Sequence, residues 1–128
     1  MTGQTANTSK GDHVQKSSLT ALAGRQLVLA RDASSGRSAQ TVYGGHEHRL
    51  RQTVIALAQG RWLDEHRNPG EATVHVLHGR VRLVAGDVGW DGSPGDLLIV
   101  PDSLHALEAV EDSVVLLTVS TRAPDASP

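Results

Sequence analysis

The stretch Gly60-Arg-Trp-Leu-Asp-Glu-His66-Arg-Asn68-Pro-Gly-Glu71-Ala72-Thr-Val-His75-Val-Leu-His78-Gly79 decides how the chain is read. Gly60 breaks the apolar run of Leu50 to Ala58, and Arg61 to His66 forms a second short run. Asn68-Pro-Gly is a strong turn signal, because proline presets φ and glycine takes the conformations other residues avoid. Thr73 to Leu77 alternates as a strand, and His78-Gly79 ends or bends it. His66, His75 and His78, with His105 further on, are four of the chain's seven histidines. Their spacing outlines a pocket between β-strands suited to a metal ion.

Outward from this segment the same pattern continues. Arg80 to Val84 alternates charged and apolar residues, which predicts one wet and one dry face. Ala85-Gly-Asp is a hairpin turn, Val88 to Trp90 a short strand, and Asp91-Gly-Ser-Pro-Gly-Asp96 another turn. Leu97 to Val100 is an apolar run stopped by Pro101. Ala106 to Ala109 and Ser113 to Ser120 are the last strands, joined by a turn at Glu111-Asp112. Upstream, Leu19 to Ala30 reads as a short helix capped by Ser18, with Leu19, Leu22, Ala23, Leu27 and Ala30 on one side. A strand at Gln26 to Ala30 is the alternative. Asp32 to Arg37 is a turn. Residues 1–18 read as a disordered polar tail without a hydrophobic signal region, 19–120 as one domain, and 121–128 as a second polar tail.

Composition narrows the function classes. The chain has 128 residues, enough for one ordinary domain. Aromatics are 2% and there is no phenylalanine, so the core is built from small aliphatic side chains. There is no cysteine, which excludes disulfides, thiolate metal sites and a cysteine nucleophile. A formal net charge of -2 and the lack of a basic stripe argue against nucleic acid as a partner. No apolar stretch is long enough to span a membrane, and the expected location is cytoplasmic. Short strands separated by Gly/Pro turns, with no long helical segments between them, predict an all-β antiparallel barrel or sandwich.

This arrangement of strands, glycines and histidines resembles a small single-domain cupin, a double-stranded β-helix or jelly-roll barrel, over about residues 40 to 120. Gly60, His66 and Gly79 fall where the first cupin motif has Gly, His and Gly. Asn68 stands at the second histidine and Ala72 at the glutamate. In the second motif Gly95 and Pro101 match, Ser103 takes a glycine position, His105 arrives one residue early, and Ala109 or Glu108 replaces the closing asparagine. The resemblance implies a barrel that in related proteins holds iron, manganese, nickel or zinc through three histidines and a glutamate. Of that set this chain keeps, by position, only His66 and His105.

Two histidines make a weak site for a divalent ion, which needs more donors to offset its dehydration. Asn68 offers a neutral carbonyl oxygen and Ala72 offers nothing. Glu71 is adjacent, but a one-residue shift turns a strand side chain to the opposite face. A bulge after Pro69-Gly70 would bring it inward. If Ala72, Val74 and Val76 point into the barrel, His75 and Leu77 point out, and His78 is exposed at a strand end. His46-Glu47-His48 follows Gly44-Gly45 in a loop. A solvated patch is its simplest reading, with His48 as a replacement ligand the sharper one. Arg49 and Arg51, like Arg80 and Arg82, read as solvated pairs; an arginine turned inward would favour a carboxylate ligand. Trp62 and Trp90 are expected to be buried anchors or dimer contacts. The last strand, Val114-Val-Leu-Leu-Thr-Val119, does not alternate, which suggests that both faces are covered, one by a second subunit.

Three functions follow. The first is a cupin that binds a small molecule in the barrel pocket without a full metal site or any assigned cofactor. The second is a divalent-metal-dependent dioxygenase or isomerase using His66 and His105 with Glu71, Asn68 or His48. The third is a metal-free isomerase or lyase with His66 or His105 as base, imidazole being the side-chain base of neutral water. An inward Glu71 favours the second, and another proton-transfer group facing the histidines favours the third. A homodimer formed by sheet packing is expected in each case.

Overall fold

The computed structural model describes residues 14–66 and 70–121. The elements run α1 (Leu19–Asp32), β1 (Arg37–Tyr43), β2 (Leu50–Leu57), β3 (Trp62–His66), β4 (Gly70–His78), β5 (Val81–Ala85), β6 (Val88–Gly92), β7 (Leu97–Ile99), β8 (His105–Ala109) and β9 (Ser113–Thr121). They form a five-stranded sheet in the order β1-β2-β9-β4-β7 and a four-stranded sheet in the order β3-β8-β5-β6. Every pairing is antiparallel. This is the expected all-β jelly-roll architecture, with a short N-terminal helix.

Alternation in β2, β4 and β9 divides the apolar residues between two cores. One lies between the sheets and includes Ile55, Leu57, Val74, Val76, Leu83 and Leu107. The other lies between α1 and the outer face of the five-stranded sheet, where Leu27, Ala30, Val54, Ala56, Val114 and Leu116 pack together. The predicted stripe of α1 is the one buried, and the Ser18 side chain accepts a hydrogen bond from the Ala21 N–H at 3.2 Å. Gln26, outside that stripe, is also buried and bonds Ser38 and Gln40 of β1.

The unbroken apolar pattern of β9 therefore has a cause within one chain. Val115 faces the barrel, while Val114 and Leu116 face α1. The helix supplies the second cover that the sequence suggested a partner subunit would give. Two further expectations are corrected. Arg37 to Tyr43 is a strand, although its polar sequence gave no strand signal. Of the two roles expected for Trp62 and Trp90, the buried anchor is not met, since they are 41% and 43% exposed, which leaves the dimer contact.

Both sheets converge on one end of the barrel. There β2 begins, β3 ends at His66, β4 begins at Gly70, β8 begins at His105 and β9 ends at Thr121. We call this end the mouth. At the opposite end Gly79 has φ +79°, and a Cβ there would come within 2.2 Å of the Asp112 carbonyl oxygen. Only glycine fits this crossing of the chain.

Candidate site at the barrel mouth

His105 opens β8 and is 4% exposed. Its Nδ1 lies 2.8 Å from the Ser103 carbonyl oxygen. A carbonyl can only accept, so Nδ1 carries the proton. The register pairs His66 with His105 across β3 and β8, after an irregularity between Leu63 and His66. The two histidines picked from the sequence are thus cross-strand neighbours by backbone. His66 is described at the level of its backbone, and Asn68 lies outside the described residues.

Beneath His105 the barrel encloses about 20 Å³, lined by Leu63, Val74, Leu83, Val100, His105, Leu107, Val115 and Leu117. That is room for about one water molecule, far below the ~300–1,000 Å³ of an ordinary ligand pocket. Apart from His105 every lining side chain is apolar. The second proton-transfer group required by an acid-base mechanism is not among these residues.

Ala72 and Glu71 settle the orientation of β4. Ala72 is buried in the barrel core and Glu71 is exposed. Glu71 pairs with Ser120 and Ala72 with Val119 in continuous register, and the only irregularity of this pairing falls between Val76 and His78. The bulge that would turn Glu71 inward is not formed. As expected, Val74 and Val76 point in, while His75 and Leu77 alternate with them.

His48 sits in the β1–β2 loop, exposed, with its ring edge-on to Tyr43 at 5.0 Å between centroids. It lines a surface hollow with Gln15, Thr41, Val42 and Gly44. Among the described residues no three His, Cys, Asp or Glu side chains are grouped to hold a metal ion. With Glu71 outward and His48 edge-on to Tyr43, the described donors do not fit a cupin metal centre.

The sequence did not mark Arg51 as part of the mouth. Arg51 pairs with Val119, which pairs in turn with Ala72. Val119 packs on the barrel core, so Arg51, Val119 and Ala72 form one row on the inner face. Arg51 and Arg49 are two apart, yet only Arg51 lies within a strand. Arg49 instead lines a broad open hollow of about 760 Å³ with Glu71, Asp102, Thr73, Ile99 and Ser120. Gly44 has φ +101°, and a Cβ on it would lie 2.7 Å from the Arg51 Cα. The close approach of this glycine fixes the backbone from which the Arg51 side chain leaves.

No protein-family model matches the chain, and no curated protein matches it by sequence. Solved structures do match. A cupin superfamily protein from Desulfitobacterium hafniense superposes with a TM-score of 0.62 at 20% identity, covering 67% of this chain and 78% of that one. An RmlC-like cupin from Desulfovibrio desulfuricans gives 0.58 at 25% identity, over 66% and 81%. The chain has the cupin fold. A conserved protein of unknown function from Streptococcus pyogenes gives 0.67 at 23% identity, over 88% of this chain and 92% of that one. Cupin architecture is thus reached here with a mouth that lacks the inward glutamate at Ala72.

Proposed function

We propose that this cupin binds a small molecule at the barrel mouth without a metal ion. The observation that carries the reading is the mouth itself. A buried, oriented His105 sits at the floor, Arg51 stands on the inner face, and Ala72 occupies the position of the metal-binding carboxylate. The enclosed space below His105 admits only a small group, so most of the ligand lies in the mouth rather than in the barrel. An apolar wall with a few oriented polar groups is the usual make-up of a binding site. Binding is favoured because the space beneath His105 is small and otherwise lined by apolar side chains.

The test is nuclear magnetic resonance of isotope-labelled full-length protein with a library of small soluble metabolite-like molecules. Saturable shifts of the His105 and Arg51 signals in the presence of chelator support the reading. Shifts that cluster at the outer hollow of Arg49 and Glu71, with His105 and Arg51 silent, contradict it.

We further propose that the protein pairs as a homodimer through the five-stranded sheet. The half of its outer face beyond α1 leaves Leu97 and Ile99 59% and 69% exposed. The adjoining hollow carries both Arg49 and the acids Glu71 and Asp102, a charge pattern that a two-fold axis can pair with itself. Light scattering tests this: a dimer that Ile99→Asp converts to a monomer supports it, and a monomer at all concentrations contradicts it.

A further inference from the structure

We infer that the ligand at the mouth is a small carboxylate and that the Arg51 guanidinium is the group that recognises it. The inference rests on the mouth being the binding site and goes on to name the chemistry bound there. Among the described side chains, inner-facing positions near this end, read from the strand register, include Thr41, Arg51, Thr53, Val119, Thr121, Ala72 and His105. Arg51 is the one charged side chain in that set. It makes no ion pair or hydrogen bond with a described residue, whereas Arg31 and Arg82 are each engaged by an aspartate. Glu71 and Asp102 line a hollow with Arg49, Ala72 and Val100, and Arg51 is not among its lining residues.

An exposed cation on the inner face at the open end of a β-barrel attracts an anion. Guanidinium presents a planar fork of N–H donors that matches the two oxygens of a carboxylate. Beside it, the hydroxyl oxygens of Thr41 and Thr53 lie 3.5 Å apart on the same face. Either hydroxyl is suited to bond an oxygen of the same ligand. Val119 and Ala72 complete the row with apolar surface, and the space under His105 accepts no more than a methyl-sized group. The site therefore suits a short aliphatic carboxylate better than a sugar or an aromatic acid.

The experiment titrates labelled full-length protein with formate, acetate, propionate and butyrate, and with the matching neutral amides, in chelator. The Arg51 Nε–H and His105 ring signals are followed. The expected result is saturable shifts with the acids, at least about tenfold weaker response with the amides, and a loss of about tenfold or more in affinity in Arg51→Gln, the scale of one charge-assisted contact. Arg51→Lys keeps part of the affinity, and Arg49→Gln keeps all of it. Arg51 is exposed and unbonded, so these variants fold as the parent does, which their melting temperatures verify. Acids and amides that bind equally, or acid binding unchanged in Arg51→Gln, overturn the carboxylate inference while leaving the mouth as the binding site. Failure of every probe to shift the His105 and Arg51 signals overturns the inference. Failure of the wider library as well brings down the mouth reading with it.

Discussion

Glu71 and Ala72 are neighbours in the chain and lie on opposite faces of the five-stranded sheet, Ala72 buried in the barrel core and Glu71 exposed. This one-residue offset separates the chain from a metal-holding cupin. It depends on the continuous register from Gly70 to Val76 against β9, because alternation allows no exchange of faces without a bulge. The carboxylate is present in the sequence and absent from the barrel.

The offset predicts an asymmetric response to mutation. Glu71→Ala changes stability by no more than about 0.5 kcal/mol, as expected of a solvated strand position. Ala72→Glu places a carboxylate in an apolar, filled interior and costs about 3 kcal/mol or more. Urea unfolding of both variants checks this. A reversed order of effects would mean that β4 presents the other face.

The α1 cover makes a second prediction. Leu27 belongs to the outer core and Leu83 to the barrel core. If the helix is part of the cooperative unit, Leu27→Ala and Leu83→Ala each cost about 2–5 kcal/mol, and both move the same single unfolding transition. Loss of α1 in a separate, earlier transition for Leu27→Ala would show that the helix is a detachable cover.

Asp112 gives a pH dependence. It receives the Arg31 Nε–H at 2.8 Å and the Gln59 backbone N–H at 2.8 Å, tying the end of α1 to the β2–β3 turn. The Arg31 hydrogen bond first, then that of Gln59, holds its carboxyl below the ordinary value of 3.8. A carboxylate depressed in the folded state adds stability above its unfolded pKa, and that contribution is lost as pH falls through the folded value. Asp112→Asn is therefore less stable than the parent near neutrality, and the gap closes below pH 3.8. Arg31 is half exposed, so the gap is small and shrinks further in salt. Chemical unfolding of both proteins across acidic pH measures it.

Gly79 and Gly86 both have positive φ but different surroundings. A Cβ on Gly79 meets the Asp112 carbonyl and the Ser113 side chain, whereas one on Gly86 meets nothing within 4 Å. Gly86→Ala should cost about 1–2 kcal/mol, the backbone term alone. Gly79→Ala should cost clearly more, since backbone must move as well. Thermal unfolding of the pair distinguishes strain in the turn from the clash at the crossing.

How far the sequence could be read follows from these same residues. The barrel was legible because Val74, Val76 and Leu83 alternate with polar residues and because Gly79 and Pro101 punctuate strands at cupin spacing. The α1 stripe was legible for the same reason at helical period. β1 was not, because an edge strand with polar residues on both sides carries no alternation. The cover over β9 was assigned to a partner because an apolar run shows that a face is buried but not by what. The missing glutamate was legible at Ala72. Arg51 was not legible as a mouth residue, since its face is set by pairing with Val119, a partner more than sixty positions away in the chain.

The most direct test of a mouth that works without metal is metal content by plasma mass spectrometry on full-length, tag-free protein loaded in turn with iron, manganese, nickel and zinc and then desalted. The account predicts well under one equivalent of each ion, with the response of His105 and Arg51 to small carboxylates unchanged by chelator. One retained equivalent, lost in a His66→Ala and His105→Ala double variant, would contradict it and make this barrel a metal centre rebuilt from other ligands.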